Sequence, residues 1–161
     1  MRYLLRFSLV AVFALLCVGA GTPENQLTEG IQTGNLAPEF AWQGFEMGEN
    51  DYVLLQFWAA YDPQSRVVNT QMHNAIAQLE TGKIRLISVS MDEEPAVFKG
   101  VVKTEHLDES TQWNEPKGKK SELFKKFRLK NGFGNWLING EGMIVARNIC
   151  PSDIRELLDT L

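Results

Sequence analysis

The sequence predicts an α/β domain with a central mixed sheet flanked by helices on both faces. Three observations carry this prediction. Apolar strand-like runs alternate with stretches of helical spacing between Tyr52 and Leu129. The run Tyr52–Trp58 passes through a small-residue turn, Ala59-Ala60, into Asp62-Pro63, as a buried strand does when it hands over to a helix N-terminus. Near the C-terminus, two more strand-like runs flank Asn139-Gly140-Glu141-Gly142, a hairpin signal that makes the sheet mixed.

Ahead of that domain, Arg2 and Arg6 flank an apolar stretch, Phe7 to Val18, that closes with Val18-Gly19-Ala20. A positive start, a short apolar core and small residues at the cleavage positions define a secretory signal over residues 1–20. The stretch is too short for a membrane span. Lipid attachment at Cys17 is the weaker alternative, because lipidation signals want a small residue before the cysteine and Leu16 is bulky. The chain is therefore expected to be exported, to the periplasm or cell envelope. Cleavage removes two cations and no acid from a chain of formal net charge −4. The acidic remainder argues against nucleic acid or an anionic membrane as the main partner. Only Cys150 survives cleavage, so the expected state is a monomer or a Cys150-linked dimer.

Residues 21–35 are polar and aperiodic and read as a flexible tether, with the domain running from 36 to 161. Gly44, Gly48 and Asn50 suggest a hairpin-like excursion between Phe40 and Asp51. After the strand ending at Trp58, Val68, Met72, Ile76 and Leu79 recur at helical spacing, and Gly82 stands where a C-cap is expected. Ile84–Met91 is apolar enough for a central parallel strand. Asp92-Glu93-Glu94-Pro95 then opens a helix with Val97, Phe98, Val101 and Val102 on its apolar face. Leu107–Lys120 is read as irregular. Ser121–Leu129 is a short helix with Phe124 and Phe127 inward. Strands at 135–138 and 143–147 follow, and a closing helix carries Ile154, Leu157, Leu158 and Leu161 on one stripe.

Phe57-Trp58-Ala59, Pro63 and Arg66 resemble the Phe-Trp-Ala-x-Trp-Cys-Pro-x-Cys-Arg stretch of the thioredoxin superfamily, in particular its TlpA/ResA-like (AhpC/TSA-related) envelope thioredoxins. Leu36-Ala37-Pro38-Glu39-Phe40 matches the Ala-Pro-x-Phe stretch of the same proteins. The resemblance covers the chain from about Leu36 onward and implies a thioredoxin-like fold. It also marks departures. Asp62 and Ser65 stand where both cysteines of the redox pair are expected. Phe133 stands at the position of the family's cis-proline and Gly134 at that of the threonine after it. A cis bond before Phe133 would cost about 3 kcal/mol, so a trans peptide is expected.

In a catalytic relative the first cysteine attacks as a thiolate stabilised by the helix N-terminus. Asp62 in that place is read as an N-cap, since no phosphate-binding loop or paired carboxylate is visible to make it a nucleophile. Ser65 would need a base. His73 is roughly 12 Å further along the same helix, nothing brings His106 near, and both read as surface residues. No His/Cys cluster has metal-ligand spacing, and no cofactor is implied. Catalytic residues are therefore expected to be absent. The resemblance implies instead a groove formed by Trp58, Tyr61, Asp62, Pro63, Gly132, Phe133 and Gly134, with Trp136 close by, that takes an extended peptide or protein segment. The plainer expectation for Trp58 and Trp136 is core packing. Cys150 is expected to pack as a small residue beside the closing helix, the alternative being an intermolecular disulfide.

Lys117, Lys119, Lys120, Lys125, Lys126, Arg128 and Lys130 make a basic stretch in an acidic protein, either a solvated face or a dock for an acidic partner or headgroups. The sequence thus favours an exported, non-catalytic binding protein. Thiol–disulfide exchange through Cys150 or a partner's cysteine is the enzymatic alternative, and a fixed subunit of an assembly is a third.

Overall fold

A computed structural model describes residues 28–39, 51–79 and 82–160. The expected signal with Cys17, the first part of the tether, the excursion after Phe40 and Leu161 lie outside the described residues.

The centre is β1 (Tyr52–Trp58), whose residues from Val53 onward are all buried. A strand covered on both faces is apolar along most of its length, which is why this sequence does not alternate; its one buried polar residue, Gln56, accepts from Asn135 Nδ2 at 3.2 Å. It pairs in parallel with β2 (Ile84–Ser90) and antiparallel with β4 (Asn135–Asn139). β3 (Gln112–Asn114) extends the sheet beside β2, and β5 (Ile144–Arg147) beside β4, giving the order β3-β2-β1-β4-β5. Mixed pairing follows from the closing hairpin, as expected. Its turn is held by Gly142 N–H donating to the Asn139 carbonyl at 2.9 Å, with Gly142 at φ +79°.

Three helices cover one face. α1 (Pro63–Ala77), α2 (Pro95–Thr104) and α4 (Ile154–Thr160) meet the even-numbered side of β1: Leu54 packs with Met72 and Ile154, and Trp58 with Val102. The other face is covered by α3 (Glu122–Lys126) and the loops around it. There Phe57, Phe127 and Trp136 form a three-ring cluster with centroids 4.9–5.8 Å apart. Such pairs add about 0.5–1.5 kcal/mol each beyond area burial.

The structure corrects several element expectations. Leu107–Lys120 is not irregular: it holds β3, whose Gln112 and Trp113 pair with Ser88 and Val89. Three polar-flanked residues are too short to show a period. α1 ends at Ala77 with Gln78 as C-cap, so Gly82 does not cap it. The buried positions of α1 are Ser65, Asn69 and Met72. Asn69 bonds Ser88 Oγ and, at 3.3 Å, Gln112 Oε1, which ties α1 to β2 and β3 through a satisfied polar contact. Val97 is exposed, leaving Phe98, Val101 and Val102 as the packed face of α2. Residues 28–36, placed in or beside the tether, fold onto the sheet: Ile31 packs against the core and its carbonyl accepts from Trp136 Nε1 at 3.1 Å.

Candidate functional site

Because β1 and β2 are parallel and in register at Trp58 and Ser90, both chains leave the sheet at the same end, two residues before Ala60 and Asp92. Asp92 is buried, and its two carboxylate oxygens accept from Ala60 N–H at 3.0 and 2.9 Å. Ser90 Oγ donates to the same carboxylate at 2.7 Å. This charge-assisted clamp fixes the turn that presents Tyr61. Sequence reasoning assigned Asp92 only to the helix start. Its signal was an acid directly after a largely apolar parallel strand. The α2 N-cap is Glu94, with Pro95 at the first helical position.

Asp62 caps α1, as expected: its Oδ1 accepts from Ser65 N–H at 2.8 Å. Ser65 is only 5% exposed. Its Oγ donates to the Asp62 carbonyl at 3.0 Å and accepts from Ala59 N–H at 3.2 Å. Both side chains are thus committed to the turn. Pro63 follows as the first residue of α1 and is exposed.

The loop before β4 comes up beside this turn. The described residues contain no cis peptide bond, so the bond before Phe133 is trans. Gly132 has φ +121° and ψ 158°, a combination open to glycine alone. A Cβ on Gly134 would lie 2.9 Å from Asn148 Oδ1 and 3.3 Å from the Trp136 ring, so those side chains would have to shift to admit one. The Gly134 carbonyl accepts from Phe57 N–H at 3.0 Å and anchors the loop to β1. The Phe133 backbone N–H and C=O bond to no described residue.

Tyr61 and Phe133 stand 6.2 Å apart between centroids, with Tyr61 53% exposed. Lys119 Nζ lies 5.0 Å above the Tyr61 ring. Partial burial, and then the charges of Asp92, Asp62 and Glu93, push the Tyr61 phenol above its ordinary pKa. The two tryptophans do not join this pair. Trp58 is fully buried, 6.1 Å from Phe98, because the even side of β1 faces α2. It is therefore removed from the groove. Trp136 points to the opposite face of the sheet and is core. Tyr61, Asp62, Gly132 and Phe133 do line one common hollow, together with Lys119.

The remaining candidates lie apart. Cys150 is exposed rather than packed, and its Sγ accepts from Ser152 Oγ at 3.3 Å. His73 Nε2 accepts from Asp108 N–H at 3.0 Å, so the ring is a structural acceptor rather than a free surface group. His106 is exposed with φ +54° and ends α2. Among the described residues no group of three or more His, Cys, Asp or Glu is placed to hold a metal, and no helix is long and apolar enough to cross a membrane.

A strand–turn–helix at the end of a central parallel strand, faced by the loop before the antiparallel β4, defines a thioredoxin-fold protein. A thioredoxin-like protein from Parabacteroides distasonis is 44% identical over 83% of this chain and 99% of its own, with a TM-score of 0.80. A thiol-disulfide oxidoreductase from Bacteroides fragilis shares the fold at 22% identity and a TM-score of 0.58, over 74% of this chain and 88% of that one. StoA from Bacillus subtilis does so at 17% identity and 0.57, over 68% and 83%. No protein-family model and no curated protein matches the chain. The chain belongs to the thioredoxin-like proteins.

Proposed function

We propose that this chain is an exported, non-catalytic thioredoxin-fold protein that binds an extended peptide or protein segment in the groove between Tyr61 and Phe133. One observation carries the reading. At the positions where its resemblance to the redox-active branch places a cysteine pair, Asp62 and Ser65 bond to each other's backbone and to Ala59. Neither can exchange with a disulfide, and the Ser65 hydroxyl donates to the Asp62 backbone carbonyl rather than to a base that could activate it. What the turn and the loop facing it keep is a binding geometry: two aromatic rings and, at Phe133, a backbone N–H and C=O with no partner among the described residues, the groups an added strand would use.

Export rests on the leader expected over residues 1–20, with cleavage after Ala20 favoured over lipid on Cys17. The domain is taken as residues 36–161 by resemblance, with the packed residues 28–35 joined to it. Envelope proteins or peptides are the partner class.

Envelope capture tests the binding reading. Wild type should retain a partner that Tyr61→Ala/Phe133→Ala loses, both forms being folded by circular dichroism. Equal retention would move the site elsewhere. The exposure of Cys150 favours one competing reading, thiol–disulfide exchange through that residue. Insulin reduction with dithiothreitol separates the two: turnover above the protein-free background that Cys150→Ser abolishes would overturn the non-catalytic proposal. A dimer band under non-reducing conditions, absent from Cys150→Ser, would assign the cysteine to an intermolecular link.

A further inference from the structure

The groove has two chemically different walls. On the α2 side of Tyr61 is a hollow bordered by Asp92, Glu93 and Glu94, with Lys119 at the rim it shares with the other side. On the α3 side, a hollow of about 480 Å³ has Tyr61, Phe124 and Phe133 as its aromatic lining and Lys119 and Lys130 as its cations. Residues 117–130 carry seven cations and one acid, a local charge of +6 in a chain whose formal net charge is −4. Several of these charges are occupied. Lys125 pairs with Glu122 at 2.7 Å, and Lys126 Nζ donates to the Glu39 carbonyl at 3.3 Å. Lys119 and Lys130 are exposed and have no carboxylate partner among the described residues. Asp62, which shares the wall, has Oδ1 turned onto Ser65 N–H.

We infer that the occupant of the groove is an acidic, extended segment of a partner protein, with an apolar residue seated on Tyr61, Phe124 and Phe133 and a carboxylate facing Lys119 and Lys130. This rests on the groove reading above and adds the chemistry of the ligand. Charge complementarity selects a carboxylate on the α3 side. The acidic balance of the rest of the chain repels an extended polyanion, whether nucleic acid or an anionic bilayer, because either would run past the lysine wall onto like charge. A short segment meets only the wall. The Lys119 ammonium also stands at the groove's rim, 5.0 Å over the Tyr61 ring, a contact that favours this position.

The test is fluorescence anisotropy with the purified protein and three short fluorescein-labelled peptides. Each has phenylalanine flanked by glutamate, glutamine or lysine on a common Gly/Ser background. The glutamate peptide should bind roughly tenfold more tightly than the lysine peptide, the ratio expected when a few exposed ion pairs are exchanged for repulsions. That preference should shrink as salt rises. Lys119→Gln/Lys130→Gln should abolish it, while Lys99→Gln/Lys103→Gln, which removes the same charge from α2, should leave it intact. Equal binding of all three peptides would overturn the acidic preference and leave the groove reading standing. An acidic preference that persists in Tyr61→Ala/Phe133→Ala, or falls equally in the α2 variant, would overturn the placement. Binding of none of the peptides would overturn a free acidic segment as the occupant, and envelope capture would still judge the groove.

Discussion

Ala60 gives its single backbone N–H to both carboxylate oxygens of Asp92, joining the ends of the two central parallel strands. The contact spans 32 residues of sequence, so it ties the turn to the end of the neighbouring strand, which no local bond of the turn does. Asp92→Asn would set an amide N–H₂ against a buried N–H donor or strip an acceptor from it. Loss of a buried charged hydrogen bond costs about 1.5–3 kcal/mol. Urea denaturation should show a loss of that size, and an unchanged midpoint would mean the turn is held by other contacts.

The Asp62 cap should behave as an ordinary helix cap. Asp62→Ala is expected to cost about 1 kcal/mol, and Asp62→Asn, which keeps an acceptor for Ser65 N–H, much less. A comparison of melting temperatures decides it. If the alanine variant is as stable as wild type, the carboxylate serves something other than the helix.

Tyr61 gives a pH signature. Its phenol is raised from the ordinary 10.0 by partial burial first and by Asp92, Asp62 and Glu93 next. A raised folded value means that the stability linked to the neutral phenol is complete below the unfolded value and is lost as pH rises through the folded one. The phenolate absorbance, taken as wild type minus Tyr61→Phe, should therefore have its midpoint above 10.0. A midpoint at or below the ordinary value would show that neither burial nor the acids act on the ring.

His106 closes α2 in a left-handed conformation, φ +54°, with Leu107 N–H reaching back to the Val102 carbonyl at 3.0 Å. That is a glycine position filled by a side chain with a Cβ. His106→Gly should stabilise the protein by a few tenths to about 1 kcal/mol. Thermal unfolding at neutral pH would reveal it, and a lower melting temperature would point to a role for the imidazole.

Phe127 is the shared member of the three-ring cluster, 4.9 Å from Phe57 and 5.0 Å from Trp136. Phe127→Ala should cost about 3–5 kcal/mol, the range for emptying a large aromatic site. Chemical denaturation of this variant beside Phe124→Ala, whose ring is half-exposed, should show a smaller loss for Phe124.

The fold was legible because β1 and β2 are long enough to show continuous apolar runs and the closing hairpin shows its turn chemistry. β3 was not, since its pairing with β2 is a property of the assembled sheet. At the site, Asp62 and Pro63 could be read locally, because a cap and the first turn of a helix are made by neighbours in sequence. Trp58 could not be placed from its aromatic character. Only strand parity against α2 decides that its ring points away from Tyr61. Asp92 and Lys119 were visible as charges, but their partners lie 32 and 58 residues away, at Ala60 and Tyr61, and local spacing does not encode such meetings.

The loop from Thr28 to Leu36 has a consequence for solubility. It lies along the outer edge of β5: Gly34 N–H donates to the Ile144 carbonyl at 2.8 Å, Ile144 N–H to the Asn35 carbonyl at 2.9 Å, and Leu36 bridges Met143. At the opposite margin of the sheet, β3 is too short to template another chain. A protease that removed the segment ahead of Leu36 would free the backbone N–H and C=O of Ile144 at the start of β5. The trimmed product would expose that edge to other chains and would also lose the Ile31 packing and the Trp136 Nε1 acceptor, so that precipitation would accompany a loss of stability.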